Sequence, residues 1–410
     1  MSKDHADPFP RAIRWCLFIV IGAILLATLL PAAPEAARAS PWCVACGEGG
    51  VADFILNFGL FLPLGMVLGV AGVRARSILA ICGAFSTAIE LAQEFIPGRD
   101  TSLGDIIANT GGAWIGALIV IGIHQLIIRQ RLSGLVSIGA AIFAMGAICT
   151  TGVLVEPNYP PTSYYGQWTA EQGGMDWYRG RVVAATLGSM ALPSWRFDDQ
   201  ARVHTLMQDG APVNILAIAG PSTRRLAPIF SVADDRGQEI LLIGVRGVDL
   251  VVRYRTRSRA WGLDQPYTTI PRAFANYSVG DTMHISLTAA RGVHCASVNT
   301  TEACPLGFTA GAGWSFLYPA RLPGWLRTAL GIVWVGVLLA PVGFAAPTVR
   351  TLAIGGSLAF TGLATIPGLV GLLATPPVEW LGAAGGLLSG WIVRRLVASR
   401  VGRPRAAVRC

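Results

Sequence analysis

DIIANTGGAWIGALIVIGIHQLII, residues 105–128, is charged only at its first position, Asp105. A helix that crosses a bilayer needs roughly 17 to 25 predominantly apolar residues, and this stretch leaves no polar face for water. Comparable runs lie near 15–33, 51–72, 77–96, 133–152, 326–346, 351–374 and 378–397. The chain is therefore expected to be an α-helical polytopic membrane protein with about eight transmembrane helices. Composition agrees, since 53% of the 410 residues are hydrophobic and 13% are charged, against roughly 25% charged in soluble chains.

The net charge of +9 would fit a nucleic-acid partner only if the basic residues were gathered on one folded surface. They are not, so no nucleic acid is expected. Lys3, Arg11, Arg14, Arg74, Arg76, Arg129, Arg131, Arg350 and the segment from Arg394 to Arg409 alternate with short loops that hold only Arg38 and Arg99. Basic residues stay in short cytoplasmic loops. The pattern predicts a multi-pass protein of the bacterial inner membrane with both termini cytoplasmic and residues 153–325 extracytoplasmic. The basic tail should attract anionic membrane lipid. The first run ends near Ala37-Arg38-Ala39, a small-residue site, but its length favours an uncleaved anchor over a signal peptide.

From Gly180 to Pro319 the long runs give way to short β-branched ones: Gly180 to Thr186, Val213 to Ala219, Ile229 to Ala233, Glu239 to Val245 and Val248 to Thr256. Asp234-Asp235-Arg236-Gly237 and Arg246-Gly247 supply hairpin turns between them. An antiparallel β-sandwich is expected. Asp249, Val251, Arg253, Arg255 and Arg257 alternate with Leu250, Val252, Tyr254 and Thr256, which predicts a basic solvent face over a buried row. Cys295 and Cys304 close a short loop in an oxidising compartment, where a structural disulfide is expected. Cys43 and Cys46 read as a disulfide or two idle thiols, because the thioredoxin-like strand and helix that a redox CxxC needs are missing around them. His204, His284 and His294 lack metal-ligand spacing. Trp168, Trp177 and Tyr178 are candidates for stacking on sugars or for the membrane interface.

Polar residues inside membrane helices mark functional sites by default. The second run carries Asp53 and Asn57, the third Glu90, Gln93 and Glu94, and the fourth Asp105 and Asn109. At ~1.5 Å rise per residue each set falls within about 10 Å of the outer end of its helix. The loop through Pro97, Arg99 and Ser102 brings a guanidinium to the same level. Guanidinium binds phosphate bidentately, so an anionic head group is one expected ligand, and Glu90 is the residue to choose as acid or base if chemistry occurs. The alternative is structural, with the amides bonding across helices while Gly112 and Gly116 allow close approach. Pro63 and Pro97 are placed to kink or end helices.

Asn57 followed by Phe61-Leu62-Pro63-Leu64-Gly65, then Glu90-Leu91-Ala92-Gln93, then Arg99, Ser102, Asp105, Asn109 and Gly112, resembles the VanZ-like family over roughly residues 50–128. The resemblance implies an association with resistance to teicoplanin-type glycopeptide antibiotics. The expected ligand-binding set, from the polar residues at one level, is Asn57, Glu90, Gln93, Arg99, Ser102, Asp105 and Asn109. The strand Pro228-Ile229-Phe230-Ser231, the hairpin through Asp235 and the run Ile240-Leu241-Leu242 are similar to laminin-G and concanavalin-like jelly rolls, which implies a glycan-binding module. The expected organisation is an anchor and outside loop (1–50), a VanZ-like transmembrane domain (51–152), the sandwich (153–325), a three-helix membrane region (326–397) and a basic tail (398–410). The expected role is to bind or handle a lipid-linked envelope glycan or glycopeptide, such as a polyprenyl-phosphate-linked intermediate, without a cofactor or metal. An enzyme acting on that carrier through Glu90 and a non-catalytic scaffold are the alternatives.

Overall fold

The computed structural model describes residues 10–31, 40–45, 47, 49–171, 173–290, 293–318 and 322–401. The small-residue site at Arg38, Cys46 and the end of the basic tail fall outside them. The N-terminal helices are α1 (Arg11–Leu29), α2 (Gly50–Val70), α3 (Ala75–Gln93), α4 (Leu103–Ile128) and α5 (Gln130–Val155). Pro63 lies inside α2 and does not end it. Pro97 follows α3, whose last residue is Gln93. Only Arg129 separates α4 from α5, with backbone angles outside the helical region.

The β domain comprises β1 (Tyr164–Trp168), β2 (Arg181–Leu187), β3 (Met190–Ala191), α6 (Gln200–Gln208), β4 (Val213–Ile218), β5 (Thr223–Asp234), β6 (Glu239–Gly247), β7 (Asp249–Tyr254), α7 (Arg257–Ala260), β8 (Thr268–Ile270), β9 (Thr282–Ala290), β10 (Val293–Val298) and β11 (Thr301–Leu306). The chain then enters α8 (Gly324–Ala345), α9 (Val349–Leu369) and α10 (Pro377–Val401). Seven of these helices, α1 to α5 with α8 and α9, are long and apolar enough to cross a membrane among the described residues. The segment expected as an eighth span forms the helix α10, which carries Glu379, Arg394 and Arg395 and is not among those seven. The protein is a multi-pass helical membrane protein with a β domain.

Two antiparallel sheets form that domain, one in the order β1-β5-β6-β7-β8 and the other β11-β10-β9-β4-β2-β3. The β5–β6 hairpin turns at Gly237 and the β6–β7 hairpin at Gly247, both with positive φ, which glycine adopts without a Cβ clash. Phe230, Ile243 and Val252 of one sheet and Val182, Ile215 and Ile285 of the other are buried in one cluster, so the sheets share a core. Cys295 and Cys304 are bridged across β10 and β11. His294 stacks on Tyr254, and burial there lowers its pKa from the usual imidazole value.

The arginine row differs from its expected role as a basic solvent face. Arg253 pairs with Glu239, while Arg255 lies 3.4 Å from Asp234 and donates to Gln238 at 2.8 Å. Period two fixed which residues share a face, but not what covers that face. Trp168 and Tyr178 are likewise committed, donating to the carbonyls of Leu192 and Ile218. Trp168 sits in β1, so the sheets begin earlier than Gly180. Trp177 remains exposed.

The membrane helices pack as two groups. Phe61, Ile78, Ile89 and Ala113 form one core with Ile24 of α1. Helix α5 joins the other group: Ser133 and Ser137 donate to the carbonyls of Ala345 and Val342 at 2.6 and 2.8 Å, tying α5 to α8. The core of this second group is continuous with that of the sheets.

Candidate functional site

One face of α3 carries Ser86, Glu90 and Gln93, all buried, at the i, i+4 and i+7 spacing that lines up side chains along a helix. Helix α4 presents Asn109 to this face, and its Nδ2 donates to Ser86 Oγ at 3.0 Å. Close approach of α2 to α4 makes the assembly compact. A Cβ added at Gly112 would strike the carbonyl of Phe58, and one at Gly116 the carbonyl of Leu62. From α2, the Asn57 side chain hydrogen-bonds Asp105.

The loop between α3 and α4 closes one end. Ser102 N–H donates to Glu90 Oε2 at 2.8 Å, fixing a carboxylate that is only 4% exposed. The segment after α1 caps this end, because the Pro41 and Cys43 carbonyls accept from Leu103 and Gly104 N–H at 2.8 and 3.3 Å. Cys43 is itself disulfide-bonded. Above α2, the Gly262 carbonyl of the β domain accepts Val51 N–H at 3.0 Å. The polar cluster and the β domain therefore share one end of the bundle.

Arg99 has a different position from the free guanidinium expected. Its Nε donates to the Leu30 carbonyl at 3.0 Å and its Nη2 to that of Ala27 at 2.9 Å. Gln93 Nε2 donates to the Thr28 carbonyl between them, at 2.9 Å. The last turn of α1 contains no basic residue, so the unmatched carbonyls of its C-terminus are capped from the neighbouring helix and loop. The charge of Arg99 still acts on Glu90 and Asp105. We predict that Arg99→Ala lowers stability in mild detergent by about 2 kcal/mol, the range for hydrogen bonds to a charged group, with Arg99→Lys recovering part. A melting temperature unchanged in Arg99→Ala would remove the capping role.

Of the residues expected to form the site, Asn57, Glu90, Gln93, Ser102, Asp105 and Asn109 converge. Arg99 joins them at the rim, whereas the side chains of Asp53 and Glu94 are exposed. Thr28 and Ser86 were missed. The position of Ser86 four residues before Glu90 was a readable signal, but the contact of Thr28 is tertiary and left no local trace. What the cluster lacks is donors. Among the described residues, Gln93 Oε1 and Asn109 Oδ1 are buried without a hydrogen-bond partner. Thr28's carbonyl fixes the orientation of Gln93, because only the amide nitrogen can donate to it.

No curated protein and no solved structure matches the chain. A family model described as VanZ/LLP1 matches residues 15–131, the stretch that runs from α1 to the junction of α4 with α5. Over that stretch, rather more than a quarter of the chain, the protein is similar to the VanZ/LLP1 family.

Proposed function

We propose that the VanZ-like bundle binds the glycan or amine-bearing part of a lipid-linked envelope intermediate, at the end of the bundle that faces outward from the bacterial inner membrane. The observation that carries this reading is the acceptor surplus: a buried, orientation-fixed Gln93 Oε1 without a donor among the described residues, on the same α3 face as the buried carboxylate of Glu90. A buried unsatisfied polar atom costs on the order of 1–3 kcal/mol, which a ligand hydroxyl or ammonium would recover. Phosphate suits this cluster poorly, since it brings acceptors to acceptors and Arg99 is occupied with α1. The polyprenyl phosphate of such an intermediate would lie away from the cluster while its sugar enters it.

The β domain supports the same reading. A groove of about 300 Å³ on the six-stranded sheet is lined by Thr186, Asn214, His284 and Ser286 together with apolar residues such as Ile215 and Leu216, and its hydroxyl, amide and imidazole groups match sugar hydroxyls. Binding without turnover accounts for these features, and the chain then works as a receptor or carrier rather than an enzyme.

Lipids that co-purify in mild detergent test the reading. Native mass spectrometry should find a glycan-bearing lipid on the wild-type protein and at least about a tenfold loss on Glu90→Gln or Asp105→Asn, the effect of removing one charge-assisted hydrogen bond. Both changes keep side-chain shape. Equal lipid content in variants that melt with the wild type would refute binding at this cluster.

A further inference from the structure

A second polar site lies where the β domain meets the C-terminal helices, apart from the VanZ-like cluster. A cavity of about 380 Å³ opens there between β8, the loop after β11 and the first turns of α8 and α10. Tyr267 and Arg327 form part of its wall. The Arg327 guanidinium stacks on the Tyr267 ring, 3.9 Å from its centroid, and Arg246 approaches the same ring at 5.0 Å while donating to its hydroxyl at 2.9 Å. Two cations thus share one aromatic ring. Among the described residues neither is paired with a carboxylate, and Arg327 Nε is buried without a hydrogen-bond partner.

This arrangement carries more positive charge than its surroundings neutralise. Like charges repel, and burial in a weakly polar setting strengthens that repulsion. Arg327 also stands in the first turn of α8, which contains no acidic residue, where the helix dipole disfavours a cation and favours an anion. Glu379 lines the same cavity but is committed elsewhere: its carboxylate accepts from the Thr309 hydroxyl and, at 3.1 Å, from Gly311 N–H. Beyond Arg327 the wall turns apolar through Ile332, Leu373 and Val378. Trp325, at the start of α8 and 73% exposed, is of the type that settles at the membrane–water boundary.

We propose that this cavity binds a phosphate-type anion, with Arg327 as the contacting residue and Arg246 as the charge behind it. A head group whose hydrocarbon continues along Ile332 and Val378 fits the polar-to-apolar run of the wall. The bound anion gives Arg327 Nε its missing acceptor and neutralises the pair, fixing the β domain to the membrane helices.

The test uses the full-length protein in nanodiscs of phosphatidylcholine, with phosphatidylglycerol titrated in and inorganic phosphate added separately. Melting temperature and the number of bound lipids by native mass spectrometry are the readouts. Phosphatidylglycerol should bind and raise the melting temperature of the wild type, with affinity falling about tenfold or more in Arg327→Gln, as expected when a charge-assisted hydrogen bond is lost. Arg236→Gln, which removes an equal charge from an exposed turn of the β domain, should leave binding unchanged. Thr328→Trp fills the cavity from an exposed wall position with both guanidiniums intact, and should abolish binding even if Arg327→Gln folds poorly. Stabilisation by phosphatidylglycerol alone identifies a lipid head group, whereas stabilisation by inorganic phosphate alone identifies a free anion. Binding that is the same in wild type, Arg327→Gln and Thr328→Trp, or absent from the wild type for both probes, overturns the proposal. Loss of the glycan-bearing lipid in Glu90→Gln bears on the other site only, so the two readings fail separately.

Discussion

Gly112→Val is expected to be among the most damaging single substitutions in the VanZ-like bundle, costing about 3 kcal/mol or more, the upper range for overpacking. At most core positions an added methyl group can be accommodated by rotating a neighbouring side chain. Here the obstacle is the Phe58 carbonyl of α2, which cannot move without displacing the helix. The same crossing is tight on both sides, because a Cβ at Gly65 would meet the Ala113 carbonyl of α4. Separating α2 from α4 would also pull Asn57 from Asp105 and move Asn109 relative to Ser86, so ligand retention should fall together with stability. Gly122→Val is the matched comparison, since nothing lies within 4 Å of the position of its Cβ. Thermal unfolding in mild detergent should show a large loss for the first variant and little change for the second. Equal melting temperatures would mean that the helix crossing is looser than its geometry requires.

The parts of this fold that were legible in the sequence depend on local physics. Membrane helices announce themselves because every backbone polar group must be satisfied within the segment and every lipid-facing side chain must be apolar. The hairpins at Gly237 and Gly247 were readable because turn chemistry is local. Partner choice was not. Helix α5 follows α4 after one residue and reads as part of the same bundle, yet its Ser133 and Ser137 face α8. Short polar side chains in an apolar run record that a helix has a neighbour without saying which one.

The candidate site divides in the same way. Spacing along α3 and α4 brought Glu90, Gln93, Asp105 and Asn109 to one level, and the structure gathers them. Arg99 was legible as a charge near the site, but its use was not, because the carbonyls it caps belong to a helix about 70 residues earlier. The consequence is chemical. With the guanidinium spent on α1, the proposed ligand of the cluster changes from a phosphate to a donor-bearing group, and cations without a carboxylate partner among the described residues sit instead at Tyr267, where the sequence offered no pattern.

Arg394 makes the same point, and its removal should have the second large effect. As part of a basic run it read as a topology anchor, yet its side chain is 5% exposed. Nη1 donates to Ser133 Oγ at 2.7 Å and to the Phe344 carbonyl at 3.1 Å, and Nη2 reaches the Leu126 carbonyl at 3.4 Å. Phe344 and Leu126 lie in the last turns of α8 and α4, where unmatched carbonyls and the negative end of the helix dipole favour a cation. A single guanidinium therefore joins α10 to the ends of two other helices and to α5. Arg394→Met keeps most of the apolar stem while removing every donor, and should cost about 3 kcal/mol, since each hydrogen bond to a charged group contributes roughly 1.5–3 kcal/mol and such contributions are not additive. Lysine cannot reproduce the planar fork, so Arg394→Lys should recover only part of the loss. Arg395→Met, at the adjacent exposed position, gives the baseline for losing a charge from this end of α10. Combining Arg394→Met with Ser133→Ala should cost less than the two single changes together, because the hydroxyl that donates to Ala345 at 2.6 Å also accepts from Arg394. If Arg394→Met melts with Arg395→Met, the residue is a surface charge after all; a large gap between them, with coupling to Ser133, makes it the staple that holds the C-terminal helices together.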